Sequence, residues 1–273
     1  MANKIDASAA GSLTLGGDLT VHRLGFGGMR LCGPGIWGWP DDRENALAVL
    51  RRAVDLGVNF IDTSDAYGPN VNEEQIAQAL YPYRDGVAIA TKCGLTRSGP
   101  GKWERDGHPA RLKACAHASL QRLRVDRLDV LQLHAVDTNV PLADQVGALK
   151  ELQDEGKVRH IGISNVTLEQ LEEARAFVRI VSVQNPYNAG NDHGNDALVD
   201  HCQREGIAFI PYFPLEAGEI AENERLRALV QTHGVTIHQA ALAWLLHRSS
   251  TMLPIPGTQS LAHLGENIAA AGL

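Results

Sequence analysis

Four side chains able to polarise a carbonyl group stand near the ends of three apolar runs that are typical of buried strands. They are Asp62 after the run 58–61 with Tyr67 just beyond it, Lys92 after the run 87–91, and His134 after the run 128–133. The carboxyl ends of parallel strands in a closed sheet meet at one rim, so these four groups are expected to lie close together.

The set suits the reduction of a carbonyl group. A carbonyl that accepts hydride develops negative charge on its oxygen and needs a proton donor. Tyrosine, with a free pKa of about 10, is a weak acid at neutral pH, and the ammonium of Lys92 is expected to lower the pKa of Tyr67. Asp62 would keep the lysine charged, and His134 would orient the substrate oxygen. Each residue alone has a structural alternative, such as a helix cap for Asp62 or rim packing for Tyr67.

The rest of the chain supplies the alternating elements that such a rim requires. After a hairpin over 12–22, strands are predicted over 23–29, 58–61, 87–91, 128–133, 159–163, 180–184, 207–211 and 252–255. Helices are predicted over 42–56, 72–80, 109–124, 141–155, 167–178, 195–205, 223–233, 236–248 and after residue 260. Eight β-α units in about 250 residues favour a (β/α)8 TIM barrel of the α/β class. No linker interrupts residues 1–273, so a single domain is expected.

Composition excludes several other classes of protein. The net charge is -7, and the sequence has no cluster of five or more Lys and Arg residues. Binding to nucleic acid or to an anionic membrane is therefore not expected. Four scattered cysteines and histidines without ligand spacing argue against disulfides, a metal site and a metal-dependent hydrolase or lyase. The N-terminus lacks a secretory signal, so a cytoplasmic location is expected. A Rossmann unit is disfavoured because Gly25-Phe26-Gly27-Gly28 lacks the third glycine of its motif.

Two segments are predicted to be loops. The first, 31–40, carries Trp37 and Trp39, which are expected either to wall a substrate pocket or to cover the core. The second, 94–108, is long and rich in glycine, proline and charge.

The stretch Asn59-Phe60-Ile61-Asp62-Thr63-Ser64-Asp65-Ala66-Tyr67-Gly68 closely resembles the signature of the aldo-keto reductases. The contexts of Lys92 and His134 resemble the other two catalytic segments of that family, and the resemblance covers essentially the whole chain. It implies a catalytic tetrad of Asp62, Tyr67, Lys92 and His134 with Tyr67 as general acid. It also implies that the N-terminal hairpin closes the bottom of the barrel.

The resemblance further implies that NADPH or NADH binds along the rim. Gly28 and Met29 resemble residues beside the pyrophosphate and the nicotinamide ribose, and Tyr212 resembles the aromatic side chain that stacks on the nicotinamide, with Leu215 beside it. Ser164 and Asn165, with Gln184, resemble the residues that bind the carboxamide. An alternative for the pair 164–165 is an N-cap for the following helix.

The adenosine end is expected at a later segment. Seven residues of this segment resemble the family's binding site for the adenine and the 2′-phosphate. They are Pro256, Gly257, Thr258, Ser260, His263, Glu266 and Asn267. Many members have a lysine where Gly257 stands and an arginine where His263 stands, which weakens the preference for NADPH over NADH. The hydroxyls and backbone amides remain, so NADPH is favoured. The segment 214–222 is too short to form a long clasp over the cofactor, which predicts fast cofactor release.

Shorter motifs, including Cys32-Gly33-Pro34-Gly35 and Phe213-Pro214-Leu215, resemble bacterial reductases that act on pyridoxal. Relatives continue beyond the position of Leu273 with a tail that lines the pocket. The pocket is therefore expected either to be open or to be completed by a further segment. A small carbonyl compound is the expected substrate. The alternative is a non-catalytic, cofactor-sensing partner of the same fold, like the β subunits of potassium channels. The natural substrate and the oligomeric state stay open.

Overall fold

A parallel sheet of seven strands forms the centre of the computed structural model, which describes residues 5–215 and 223–273. The strands are β1 (Ser12–Leu15), β2 (Leu19–His22), β3 (Phe26–Gly27), β4 (Phe60–Asp62), β5 (Ala88–Cys93), β6 (Leu95–Gly99), β7 (Lys102–Arg105), β8 (Leu128–Leu133), β9 (Val158–Ser164), β10 (Ile180–Pro186) and β11 (Ala208–Tyr212). The central sheet has the order β3-β4-β5-β8-β9-β10-β11, and every neighbouring pair is parallel.

Helices connect the strands of this sheet. They are α1 (Arg43–Asp55), α2 (Val71–Leu80), α3 (Pro109–Leu123), α4 (Leu142–Asp154), α5 (Leu168–Arg175), α6 (Asp196–Glu205), α7 (Glu224–His233), α8 (Ile237–Arg248) and α9 (Leu261–Ala269). Local sequence explains several of their ends. Thr167 before α5 and Thr236 before α8 each form a capping box with the glutamine three residues later. None of the described helices is long and apolar enough to cross a membrane.

The two edges of the sheet approach the same extended segment, residues 251–254. On one side, the N–H of Leu253 donates to the backbone oxygen of Phe209 in β11 at 2.9 Å. On the other side, the N–H of Gly25, just before β3, donates to the oxygen of Pro254 at 2.9 Å. The segment overlaps the eighth strand predicted from the sequence, and the curled sheet fits a (β/α)8 barrel.

The hairpin of β1 and β2 contacts the inside of this sheet. Its apolar side chains Leu15, Leu19 and Val21 are buried in one cluster with inward-facing residues such as Phe60. Asp18 in the turn accepts hydrogen bonds from the side chains of Arg159 and His160. That the hairpin closes the bottom of the barrel stays a prediction, and these contacts support it.

The region 94–108 corrects the sequence analysis, which predicted a loop there. β6 and β7 form an antiparallel hairpin in which Leu95 pairs with Arg105 and Thr96 with Glu104. Their side chains are mostly polar and exposed, so the hydrophobic pattern that reveals buried strands is absent. The short segment 214–222 that predicted fast cofactor release cannot be compared in the same way, because residues 216–222 lie outside the described part of the chain.

Candidate active site

The four side chains predicted at the strand ends lie together. Asp62 is the last residue of β4, Lys92 lies in β5 one residue before its end, and His134 follows β8 directly. Tyr67 lies in the loop after β4, and its ring centroid is 5.8 Å from that of His134. All four are buried, and Lys92 is fully withdrawn from solvent. Parallel strands therefore bring together residues that are up to 72 positions apart, from 62 to 134.

The Lys92 ammonium uses all three of its hydrogens inside this cluster. Nζ donates to Asp62 Oδ2 at 2.6 Å, to the backbone oxygen of Thr63 at 2.8 Å and to the Tyr67 hydroxyl at 3.2 Å. Burial by itself would lower the pKa of Lys92, but the Asp62 carboxylate and Tyr67 outweigh it and raise that pKa. The lysine therefore stays charged and donates to the tyrosine hydroxyl.

The Asp62 carboxylate is fully surrounded by donors. Oδ2 faces the Lys92 ammonium, while Oδ1 accepts from Gln184 Nε2 at 2.8 Å and from Gln132 Nε2 at 3.3 Å. A buried charge is tolerated when it is paired and its remaining lone pairs are hydrogen-bonded. Asp62 therefore has a defined position and fixes the lysine beside it.

The Tyr67 hydroxyl departs from the expectation drawn from the sequence. Burial raises the pKa of Tyr67, Lys92 lowers it and Asp62 raises it further, and the net direction is upward. The expectation considered only the ammonium, whereas a phenolate withdrawn from water loses its hydration as well. Because its pKa is raised, Tyr67 carries its proton at neutral pH, which is the state that a proton donor requires.

His134 is an uncharged hydrogen-bonding group. Burial, followed by the nearby cations Lys92 and Arg97, holds the pKa of His134 well below its usual range. Its Nδ1 lies 3.1 Å from the Ser64 hydroxyl oxygen. Nε2 has no hydrogen-bond partner among the described residues, so it is the ring nitrogen left for a ligand.

A cavity of about 600 Å³ opens onto this cluster. The predicted site residues that line it are Met29, Asp62, Tyr67, His134, Ser164, Asn165, Gln184, Tyr212, Leu215, Pro256, Gly257, Thr258, His263, Glu266 and Asn267. Five others do not line it, namely Lys92, Gly28, Ser260 and the two tryptophans Trp37 and Trp39. Lys92 is covered by its partners, Gly28 is buried beside Asn72, and Ser260 caps α9 by accepting from the His263 N–H at 3.3 Å.

Trp37 and Trp39, predicted as pocket walls, do not line this cavity. The guanidinium of Arg97 lies 5.7 Å from the ring centroid of Trp37, and that of Arg43 lies 4.7 Å from the ring centroid of Trp39. Each of these two rings, on the loop after β3, therefore packs beside an arginine side chain.

The aromatic wall comes from Trp103 in β7, which the sequence analysis did not single out. Its ring centroid lies 6.3 Å from that of Tyr67 and 6.2 Å from that of His134. The guanidinium of Arg97 lies 3.7 Å from the Trp103 centroid and also donates to the backbone oxygen of Ala66 at 3.0 Å. A lone tryptophan in an otherwise polar segment was the only sequence signal for this wall.

The barrel rim beside His134 carries polar groups suited to an amide. Asn165 has a left-handed backbone with φ 57°, an uncommon conformation for a non-glycine residue. Its Oδ1 accepts from the Tyr212 hydroxyl at 2.7 Å, and its Nδ2 donates to the backbone oxygen of His134 at 2.9 Å. Gln184 Oε1 accepts no hydrogen bond from the described residues and is available on the cavity wall. The N-cap of α5 is Thr167, so the pair 164–165 is not needed for that role.

The opposite end of the cavity is built from loops and the start of α9. Arg30, in the 3-10 segment Gly28–Leu31, lines this end and was missed by the sequence analysis. A Cβ on Gly257 would lie 2.4 Å from the backbone oxygen of Gly27, so the chain has no room for a side chain there. The Arg30 side chain lies beside this glycine, and its guanidinium has no ion-pair partner in the described part of the chain.

No group of three or more potential metal ligands occurs among the described residues. The cavity is lined by amide, hydroxyl, imidazole and aromatic groups, together with the carboxyl groups of Asp62 and Glu266 and the guanidinium of Arg30. Such groups fit an organic ligand with a flat ring at the His134 end and an anionic group at the Arg30 end.

The chain matches the model of the aldo/keto reductase family over residues 23–273, and it therefore belongs to that family. It is 45% identical over 263 residues to pyridoxine 4-dehydrogenase of Escherichia coli, covering 94% of this chain and 92% of that protein. It is 44% identical over 270 residues to an uncharacterised oxidoreductase of Schizosaccharomyces pombe, covering 98% of this chain and 87% of that protein.

Solved structures share the fold. An aldo/keto reductase from Klebsiella pneumoniae in complex with NADP and acetate matches with a TM-score of 0.80 and 25% identity, over 96% of this chain and 90% of that one. A glycerol dehydrogenase from Gluconobacter oxydans matches with a TM-score of 0.86 at 22% identity, over 96% and 90%. The latter likeness concerns the fold alone.

Proposed function

We propose that this protein reduces an aldehyde or ketone to an alcohol, with a reduced nicotinamide cofactor and with Tyr67 as the proton donor. The observation that carries the proposal is the fully hydrogen-bonded Lys92 ammonium between Asp62 and Tyr67, with Tyr67 and His134 lining one cavity. When bound, the reduced nicotinamide supplies hydride to the carbonyl carbon.

Each residue of the cluster has a defined task in this proposal. Tyr67 donates its hydroxyl proton to the carbonyl oxygen, since that proton has no acceptor among the described residues. Lys92 stabilises the phenolate that forms, because it already donates to the same oxygen at 3.2 Å. Asp62 holds Lys92 charged, and neutral His134 binds the substrate oxygen through Nε2.

The cavity fits an extended nicotinamide cofactor. Gln184 Oε1 offers an acceptor to a carboxamide N–H, Asn165 adds amide groups, and the Tyr212 ring gives a flat face. Arg30 offers a cation to a phosphate of the cofactor at the far end. An arginine at the pyrophosphate would serve either cofactor, so the preference for NADPH rests on the relative solved with NADP.

The substrate class is inferred from the wall of the pocket and from one relative. Trp103 places a flat indole beside Tyr67 and His134, which suits an aromatic aldehyde. The 45% identity to a pyridoxine 4-dehydrogenase points in the same direction. Pyridoxal is therefore the first compound to test.

The test follows the loss of reduced-nicotinamide absorbance with NADPH and NADH in parallel. The substrates are pyridoxal, a plain aromatic aldehyde, methylglyoxal and a sugar aldehyde. Turnover with any of them that depends on the protein supports the proposal, and fastest turnover of pyridoxal supports the substrate class. Tight NADPH binding without any turnover would favour the cofactor-sensing alternative.

A further inference from the structure

The position of the single hydrogen on neutral His134 decides what this residue can offer a ligand. A neutral imidazole donates from one ring nitrogen and accepts at the other. Nδ1 is occupied by the Ser64 hydroxyl at 3.1 Å, and Nε2 is left for the cavity. If Nδ1 accepts, Nε2 carries the hydrogen and can donate to a developing oxyanion. If Nδ1 donates, Nε2 can only accept.

Ser64 has one hydroxyl hydrogen and several neighbours within reach. Its Oγ lies 3.1 Å from His134 Nδ1 and 3.3 Å from Asp65 Oδ1, and it accepts from the backbone N–H of Ala66 at 3.1 Å. The shortest of the distances to an acceptor is the one to the imidazole. The backbone oxygen of Lys92 is a third, more distant acceptor at 3.5 Å. The one hydroxyl hydrogen can serve only one of these acceptors fully, and His134 and Asp65 are the nearer two.

We infer that Ser64 is a positioning residue that holds neutral His134 with its hydrogen on Nε2, and that Asp65 competes for the Ser64 hydrogen. The inference rests on the proposed function, because it assigns His134 the task of donating to the substrate oxygen. No covalent step is involved, and only the direction of two hydrogen bonds changes.

Asp65 is able to change its state in an accessible pH range. Burial, followed by the nearby carboxylate of Glu73, raises the pKa of Asp65 to about 6. Below that pH the Asp65 carboxyl keeps its hydrogen and can donate to Ser64, which then donates to His134. Above it the carboxylate accepts from Ser64, and His134 Nδ1 must donate instead. Other titratable and charged groups surround Asp65 and His134. Those near Asp65 are Glu73, Cys93, Cys115 and Arg122. Those near His134 are Tyr67, Lys92 and Arg97.

These two arrangements predict the direction in which the rate of reduction changes with pH. Carbonyl reduction needs a donor at Nε2, so the rate constant for reduction is expected to fall as pH rises through about 6. Asp65→Asn should remove this step, because the Asn amide does not titrate and its hydrogen bond to Ser64 therefore does not change with pH. Ser64→Ala should lower kcat by roughly tenfold at pH 5, which is less than the loss of a whole oxyanion donor.

The deciding experiment measures which ring nitrogen of His134 carries the hydrogen. The protein is labelled with 15N-histidine and measured without cofactor. A His134→Asn variant assigns the His134 signal. The 15N shifts at pH 5 and pH 8 then show which ring nitrogen carries the hydrogen. We expect the Nε2–H form at pH 5 and a shift towards Nδ1–H at pH 8 in the wild type, and the same form at both pH values in Asp65→Asn. In Ser64→Ala the pH step should disappear.

The matched control removes another buried serine hydroxyl that has no contact with His134. Ser249→Ala breaks a pair with Thr251 at 3.1 Å and should leave the His134 tautomer as in the wild type. Equal tautomer populations in the wild type and in Ser64→Ala at both pH values would overturn the inference. If Ser64→Ala does not fold, a pH step that persists in Asp65→Asn would overturn it. Because the measurement needs no turnover, its result is independent of whether any carbonyl substrate is reduced.

Discussion

The two ends of the cavity differ in whether their charged groups are buried and paired within the protein. At the His134 end, the side chains come from β4 and β5 and from residues that follow β4 and β8. They are buried, and the ammonium of Lys92 uses every hydrogen within the protein. At the other end, Arg30 lies on a short 3-10 segment, is exposed, and has no ion-pair partner among the described residues. The first end has its charges paired within the protein, whereas the second has a solvated cation without an ion-pair partner among the described residues.

This difference separates two kinds of effect. Changes at the buried end should alter turnover and folding, because its charges have no water to replace a lost partner. Changes at the exposed end should alter affinity by small factors, because solvent screens the cation in both states. The predictions below test this separation, starting with the largest effect.

Tyr67→Phe is expected to lower kcat by roughly a thousandfold, because it removes the proposed general acid. NADPH binding, followed by protein fluorescence, should stay within about twofold, since the hydroxyl serves chemistry and not cofactor affinity. The matched control is Tyr83→Phe, whose hydroxyl donates to the backbone oxygen of Leu123 at 2.7 Å away from the cavity. Substantial turnover by Tyr67→Phe would remove Tyr67 from the proposed role.

Lys92→Met is expected to destabilise the fold by about 3–5 kcal/mol, because it leaves the buried Asp62 carboxylate without a counter-charge. Urea unfolding measures the loss, and the added change Asp62→Asn should restore part of it. The control is Lys113→Met, which breaks a more exposed ion pair with Glu151 and should cost below about 1 kcal/mol. Similar costs at the two lysines would contradict the contrast between buried and exposed charges.

Trp103→Ala is expected to raise KM for an aromatic aldehyde by roughly tenfold, because an aromatic pair contributes about 0.5–1.5 kcal/mol beyond its buried area. The KM for methylglyoxal should change less, since that compound has no ring. Trp39→Ala provides the control, because Trp39 does not line the cavity. An equal effect of the two substitutions would place the substrate elsewhere.

Arg30→Ala is expected to raise the Kd of NADPH by roughly fivefold, the range of one exposed ion pair with a phosphate. If Arg30 faces the 2′-phosphate, the Kd of NADH should hardly change; if it faces the pyrophosphate, both should rise together. Arg204→Ala, at an exposed position in α6, is the control. No change for either cofactor would show that the far end binds without this cation.

Periodicity predicted most of the fold because its strands are apolar and its helices amphipathic. The same method failed at β6 and β7, where exposed polar strands carry no such pattern. Asp62, Lys92 and His134 could be predicted as site residues because each stands at or next to a strand end. Arg30 could not, because one arginine on a loop has no spacing to recognise. The direction of the Tyr67 pKa depends on burial, which a sequence does not display.

Arg97 gives the hairpin of β6 and β7 a consequence for protein engineering. Its guanidinium lies against Trp103 and also donates to the backbone oxygens of Ile36 and Ala66, each at 3.0 Å. Ala66 directly precedes Tyr67, the proposed proton donor. The hairpin is thus not an interchangeable module, because a graft without an arginine at this position would also remove the hydrogen bonds that hold the loop carrying the proposed proton donor.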